Sequence, residues 1–358
     1  MQNLKRIIVV VASLVGVSIA TPALAEWRTN YETAREALKN KDFRNAENAA
    51  IEALNETEPF GKTDQRTLDT LELLSDIYRE TRQWAAGASL LEQVIEAMKS
   101  LGTEGSPNAG YVYNKLGVVY QQMRENDKAQ VAYETALAIK RRKYKDNVMS
   151  IAIVVTNLGE LYRRKKDWPK AEELHKQAIA DKESELGPDH PTLVPSLNNL
   201  ALVYKEVKRY DEAIALLTRA RVIASKGDNG GRNADLATAL HNLGDVLTAQ
   251  GKNPEAKATY EEAILMRKEV LGPQHPNVAE SLNNYGAMLQ GMNLIAEAVR
   301  AYDEAIEIRK LEFGASDPRT LLVMTNKAMA LDRLKRFEDA TKLREEIKQL
   351  ELRRQNGK

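Results

Sequence analysis

A small residue returns at near-constant intervals along this chain: Ala34, Ser75, Gly117, Gly159, Ala201, Gly244, Gly286 and Ala328, separated by 41, 42, 42, 42, 43, 42 and 42 residues. Twelve positions after each stands Ala46, Gly87, Ala129, Ala171, Ala213, Ala256, Ala298 or Ala340. Seven further on come Ala53, Val94, Ala136, Ala178, Ala220, Ala263, Ala305 and Ile347. A period this regular means one supersecondary unit written eight times, each copy covering the apolar face of the next. The expected copies lie near 26–66, 67–109, 110–150, 151–191, 192–233, 234–276, 277–318 and 319–358.

Each copy reads as two helices. In the fifth, Leu197, Leu200, Ala201 and Tyr204 recur at helical spacing, and after a turn at Lys208-Arg209 so do Ala213, Leu216, Leu217 and Ala220. Ser106-Pro107, Asn253-Pro254 and Asp317-Pro318 place a capping side chain before a proline suited to the first helical position. Gly102, Gly187, Gly272 and Gly314 stand where helices should stop. Small residues at the recurring positions let two helix axes approach closely. An antiparallel helix pair repeated in line is an all-α solenoid.

The combination Gly117, Tyr120, Ala129, Tyr133 and Ala136 resembles the tetratricopeptide repeat. The 42-residue period and the linkers Leu186-Gly187-Pro188-Asp189-His190-Pro191 and Leu271-Gly272-Pro273-Gln274-His275-Pro276 are similar to the longer, kinesin-light-chain class of that family. The resemblance covers 26–358 and weakens at the ends, where Ala37 and Ala50 replace aromatics and Arg344 takes a core position. Atypical end repeats are expected, since they must cover the core with a polar face. The resemblance implies a right-handed superhelix lined on its inner surface by the first helix of each pair.

The first 25 residues stand outside the period. Lys5 and Arg6 precede an apolar run, Ile7 to Ala20, and Pro22 then leads into Ala23-Leu24-Ala25. That is the order of a secretory signal peptide, with cleavage expected between Ala25 and Glu26 and delivery to the periplasm or beyond. The run is shorter than the roughly 20 apolar residues a spanning helix needs, so no membrane insertion is expected once it is removed. No cysteine follows to take a lipid, and the absence of cysteine throughout excludes disulfides and thiolate chemistry. A net charge of +1 gives no general reason to expect nucleic acid.

Against this background one polar row is unusual. Asn157, Asn199, Asn242, Asn284 and Asn326 sit two positions before the small residue in five successive copies. Two residues are about 200° around a helix, so these amides face away from the helix-pair contact. Asparagine is a poor helix former, which argues against chance. Two readings stand side by side: the amides grip the main chain of an extended ligand, or they bond to the next copy and fix curvature. Asn198, Asn283, Tyr111, Arg163 and Lys205 lie beside the row and complete the candidate peptide-binding set. Asp69, Glu72, Asp76 and Glu80 in the second copy, against Lys115, Arg163, Arg164 and Lys205 in the next three, vary the charge along the stripe: either they favour a ligand of matching polarity or they are ordinary solvated charges on an exposed helix face. Tyr111 is a candidate aromatic anchor, whereas Tyr78, Tyr120, Tyr162 and Tyr204 fall at core positions. Only Lys115 matches the carboxylate clamp of some tetratricopeptide domains.

No catalytic constellation emerges. His190 and His275 belong to the repeated linkers, His175 to the core register, and His241 with Asp245 reads as an ordinary solvated i, i+4 pair. Gly227-Asp228-Asn229-Gly230-Gly231 lacks the Lys-Ser/Thr of a phosphate loop and reads as a flexible linker. The expectation is an exported scaffold that binds a peptide or a partner helix, without cofactor or metal and monomeric. A self-assembling solenoid is the competitor, and an enzyme comes last.

Overall fold

The structure, a computed structural model, describes residues 20–143, 147–226 and 232–355, with side chains from Glu26 onward. The expected export signal up to residue 19, the segment 227–231 and the last three residues lie outside the described residues. Sixteen α-helices and a short 3-10 turn at Glu58–Phe60 account for the secondary structure, with no strand among the described residues. Two compact units are present, Met1–Lys143 and Tyr144–Lys358. The first holds three antiparallel pairs: α1 (Ala20–Lys39) with α2 (Phe43–Glu56), α3 (Gln65–Glu80) with α4 (Trp84–Ser100), and α5 (Pro107–Gln122) with α6 (Asn126–Lys143). The second holds five: α7 (Val148–Arg164) with α8 (Trp168–Leu186), α9 (Leu193–Glu206) with α10 (Tyr210–Ser225), α11 (Ala234–Gln250) with α12 (Asn253–Leu271), α13 (Pro276–Gly291) with α14 (Ile295–Phe313), and α15 (Pro318–Arg333) with α16 (Phe337–Gln355).

Local chemistry sets the helix ends. Ser106 accepts a hydrogen bond from the Ala109 amide and Asp317 from the Arg319 amide, each ahead of a proline in the first turn. Asn147 caps α7 through the Ser150 amide. Asn253 is not a cap: it is the first residue of α12, whose N-cap is Lys252 without a side-chain bond. Inside every pair the turn passes through one left-handed residue, Lys41, Arg82, Arg124, Lys166, Lys208, Gly251, Asn293 or Lys335, at the same period as the small residues. After it the chain closes with a six-residue backbone bond such as Arg209 N–H to Tyr204 C=O at 2.8 Å, which satisfies a carbonyl the helix end would leave open.

Within each unit the pairs stack in line, as the period requires. The recurring small residues are all buried, and apolar side chains from α9 to α16 form one continuous core in the second unit. There α7, α9, α11 and α13 each also meet the first helix of the next pair, and the second helices show no comparable approach. First helices therefore line the inner side of that unit's curve. The last pair ends the stack as expected: on α16 only Ala340 is fully buried, and Arg344 pairs with Asp332 at the surface. No helix among the described residues is long and apolar enough to cross a membrane.

Candidate functional site

The asparagine row lies on the first helices, and three of its amides are already engaged with side chains of the preceding pair. Asn242, only 7% exposed, donates to Asn198 Oδ1 of the preceding pair at 3.1 Å. Asn326 donates to Asn283 Oδ1 at 2.9 Å, and Asn284 to Asp245 Oδ1 at 3.1 Å. Asn283 in turn donates to Asn284 Oδ1 at 3.2 Å, and the buried Asn198 to the Val194 carbonyl at 3.0 Å. Asn157 and Asn199 are half-buried, and Asn199 makes no hydrogen bond among the described residues. The geometry thus contains the cross-repeat bonds of the bracing reading at three positions.

The charges flanking the row are partly paired with one another. Lys115 reaches back to Asp76 at 2.9 Å and Glu72 at 3.4 Å, so two acids of the stripe are paired with their basic successor within the first unit. Arg163 binds Glu160 at 2.6 and 2.8 Å, and Arg164 binds it at 3.0 Å. Burial works to raise the Glu160 carboxyl, but the two guanidiniums hold it below the usual carboxylate range. Tyr111 is 44% exposed, yet the Lys140 ammonium sits 3.3 Å from its ring centroid, which occupies a face that an aromatic anchor would offer. Burial pushes that amine down to about 8.

The histidines separate by position. His275 Nδ1 caps α13 by accepting from the Asn277 amide, and His190 Nδ1 accepts from the Thr192 amide at 3.3 Å, so both linker histidines shape loops. His175 is fully buried beneath Gly159, with no partner for either ring nitrogen, and burial pushes its pKa down to about 4. His241 corrects the expectation of a solvated pair: it is 4% exposed. Ser281 accepts from the buried Arg267 at 2.8 Å, and its hydroxyl lies 3.1 Å from His241 Nδ1. Burial, with the Arg267 charge nearby, lowers the imidazole pKa. No group of three potential metal ligands occurs among the described residues.

Between α11 and α13 the inner face opens into a cleft of about 490 Å³, lined by Asp245, Thr248 and Ala249, by Asn284, Ala287 and Gly291, and by Tyr260 and Asn253 from α12. The opening follows from residue size. One position after the small residue the other copies carry Arg35, Asp76, Val118, Glu160, Leu202, Asp245 and Met329, but here Ala287. Five positions after it the other copies carry Lys39, Glu80, Gln122, Arg164, Glu206 and Arg333, but here Ala249 and Gly291. Asp245 holds the polar end. Its Oδ1 accepts from the Tyr260 hydroxyl and from Asn284, while Oδ2 has Lys205 at 3.4 Å. Burial pushes this carboxyl up, and the donors and positive groups around it outweigh burial, so it stays below the usual range and ionised. Of the expected site residues the structure places Asn284 in the lining of this cleft and Lys205 against its Asp245, while Asn198, Asn199, Asn242, Asn283 and Asn326 lie on α9, α11, α13 and α15 outside that lining, Arg163 and Asn157 lie on α7 and Tyr111 belongs to the other unit. Asp245 and Tyr260 were missed as site residues. The signal in the sequence is the set of three small residues, Ala249, Ala287 and Gly291, at exposed positions where other copies carry larger side chains.

The tetratricopeptide repeat family matches residues 66–142, 150–226, 235–310 and 282–347. No curated protein matches the chain. Among solved structures, the apo form of the quorum sensor NprR from B. thuringiensis is similar at 14% identity and a TM-score of 0.65, over 98% of this chain and 91% of that one. A Rap protein complexed with competence and sporulation factor is similar at 15% identity and a TM-score of 0.56, over 93% and 99%. A putative kinesin light chain from Podospora anserina with nearly identical repeats matches at 22% identity and a TM-score of 0.50, over 56% and 95%.

Proposed function

The chain belongs to the tetratricopeptide-repeat family, and from that premise we propose that it is a protein-interaction scaffold that holds an extended peptide segment of a partner along the first helices of its second unit. The observation that carries this reading is the α11–α13 cleft. It is open to solvent, walled by main-chain-sized side chains, and furnished with a fixed carboxylate, a buried phenol and an amide. A site of this build selects by a few placed polar groups within a shape that admits a chain. The half-buried Asn199 adds a free amide on the helix before it. A solved Rap protein of similar fold is complexed with a factor, which fits the same use of the fold.

The reading includes export. Residues 1–25 serve as the signal, and the mature chain begins at Glu26. Trp27 is buried and its indole donates to Thr70 at 3.0 Å, so cleavage there leaves the described packing of the first pair in place. Intact-mass measurement of the product from an envelope fraction should give the chain lacking residues 1–25; retention of those residues would contradict it.

The test of the binding role is affinity capture from the envelope extract of the source organism, with the mature chain and an Ala287→Trp variant as parallel baits. Ala287 is exposed, so the indole fills the cleft without entering the core. A partner retained by the first bait and lost from the second is expected. A partner held equally by both, or recovery of nothing but further copies of the chain, would contradict the reading and in the second case favour self-assembly.

A further inference from the structure

The repeats of the second unit themselves show what satisfies an acid at the position of Asp245. One position after its small residue, the fourth copy carries Glu160, and the guanidinium that binds it at 3.0 Å comes from Arg164, four residues later on the same helix. Arg163 supplies a second. In the sixth copy the acid is kept as Asp245, but the residue four positions on is Ala249 and the residue three positions on is Thr248. The acid remains and both guanidiniums are gone. The space they would fill is the cleft.

Three further features point the same way. Asp245 is the one formally charged group lining the cleft among the described residues. Tyr260 and Asn284 both donate to Oδ1, which fixes the carboxylate, and Oδ2 is left with Lys205 alone, at the long distance of 3.4 Å. Ala249 and Ala287 offer apolar surface to a methylene stem, the part of a basic side chain that packs while its head group stays polar.

We propose that the cleft receives a basic side chain, arginine before lysine, from the peptide that the scaffold holds. The partner thereby supplies the guanidinium that the sixth copy lacks. Arginine is favoured because its planar fork can engage a carboxylate with two donors, as Arg163 does with Glu160. This rests on the scaffold reading above and adds the chemistry of the ligand to it.

The probe is a random dodecapeptide library displayed on phage, selected on the purified chain. Peptides recovered should be enriched in arginine or lysine. By fluorescence anisotropy, replacing that arginine with neutral citrulline should weaken binding roughly ten- to a hundredfold, the range for a hydrogen bond to a charged group. Asp245→Asn should weaken the arginine peptide by a similar factor and abolish the difference between arginine and citrulline. Ala249→Arg, on an exposed helical position, restores the arrangement of the fourth copy and should expel the peptide even if Asp245→Asn folds poorly. Selected peptides without basic residues, or arginine peptides that bind Ala249→Arg as well as they bind the natural chain, would overturn the proposal and leave the scaffold reading standing. Recovery of no peptide at all would remove both.

Discussion

A Cβ atom placed on Gly117 would lie 2.6 Å from the ring of Tyr133, which is fully buried. The same relation joins Gly159 to His175, Gly244 to Tyr260 and Gly286 to Tyr302, at 2.7, 3.1 and 2.7 Å. Where the second helix instead carries Ala50, Leu91, Leu217 or Arg344, the first helix carries Ala34, Ser75, Ala201 or Ala328. Glycine is thus kept where a ring needs its space. Gly117→Ala should destabilise the fold, because overpacking of roughly 1–3 kcal/mol exceeds the helix propensity gain of about 1 kcal/mol. Adding Tyr133→Leu copies the Ala201–Leu217 combination and should recover most of the loss. Equilibrium urea unfolding of the single and double variants checks both steps.

The left-handed turn residue gives a change in the opposite direction. Lys208 is exposed and holds φ 61°, a conformation that costs a residue with a Cβ about 1–2 kcal/mol and glycine nothing. Part of that gain is returned through the greater freedom of glycine in the unfolded chain. Lys208→Gly should therefore stabilise by about 0.5–1 kcal/mol. Gly251→Lys, at the equivalent turn, should cost a similar amount. Calorimetry on the two variants should show melting shifts of opposite sign.

His175 makes stability depend on pH. Its folded pKa, about 4, lies below the ordinary 6.5, so the unfolded chain binds a proton more readily. Its contribution is intact above pH 6.5, declines as pH falls, and is lost below about 4. Burial is the main cause; Glu160 opposes it, and Arg163 and Lys182 add to it. A shift of this size corresponds to a loss on the order of 3 kcal/mol. His175→Leu, which copies Leu217 in the next copy, should flatten the stability curve between pH 6.5 and 4 relative to the natural chain. Parallel curves for the two proteins across that window would contradict this.

These cases also show what was legible in the sequence. The pairs, their caps at Ser106 and Asp317 and the linker glycines were readable because each depends on neighbours within a few residues. The fate of Lys115 was not, since Glu72 lies 43 residues away and an unpaired charge looks the same in sequence as a paired one. His241 was misjudged for the same reason. Its burial comes from Tyr260 and Ser281 on two other helices, with the Tyr260 ring 6.0 Å away. The cleft is a property of missing side chains, and Ala249 and Gly291 carry no chemistry of their own to draw attention.

Within the asparagine row the bonding pattern divides the bracing amides from that of Asn199. Asn242→Ala removes a buried bond to Asn198 and should cost about 1 kcal/mol, partly offset by better helix propensity. Asn199→Ala removes no bond among the described residues and should leave stability unchanged or slightly raised, by a few tenths of a kcal/mol. Thermal melts that ranked the two variants the other way would show that bracing does not follow the hydrogen bonds.

The scaffold reading is tested most directly by where a partner touches the chain. A photo-crosslinking amino acid at position 287, in the cleft, is compared with one at position 265, where Leu265 is 58% exposed on a second helix of the same unit. After irradiation in envelope extract, a crosslinked partner is expected from position 287 and not from position 265, and an excess of the selected arginine peptide should suppress it. Crosslinking from position 265 with none from position 287 would place the partner on the outer face and contradict binding along the first helices.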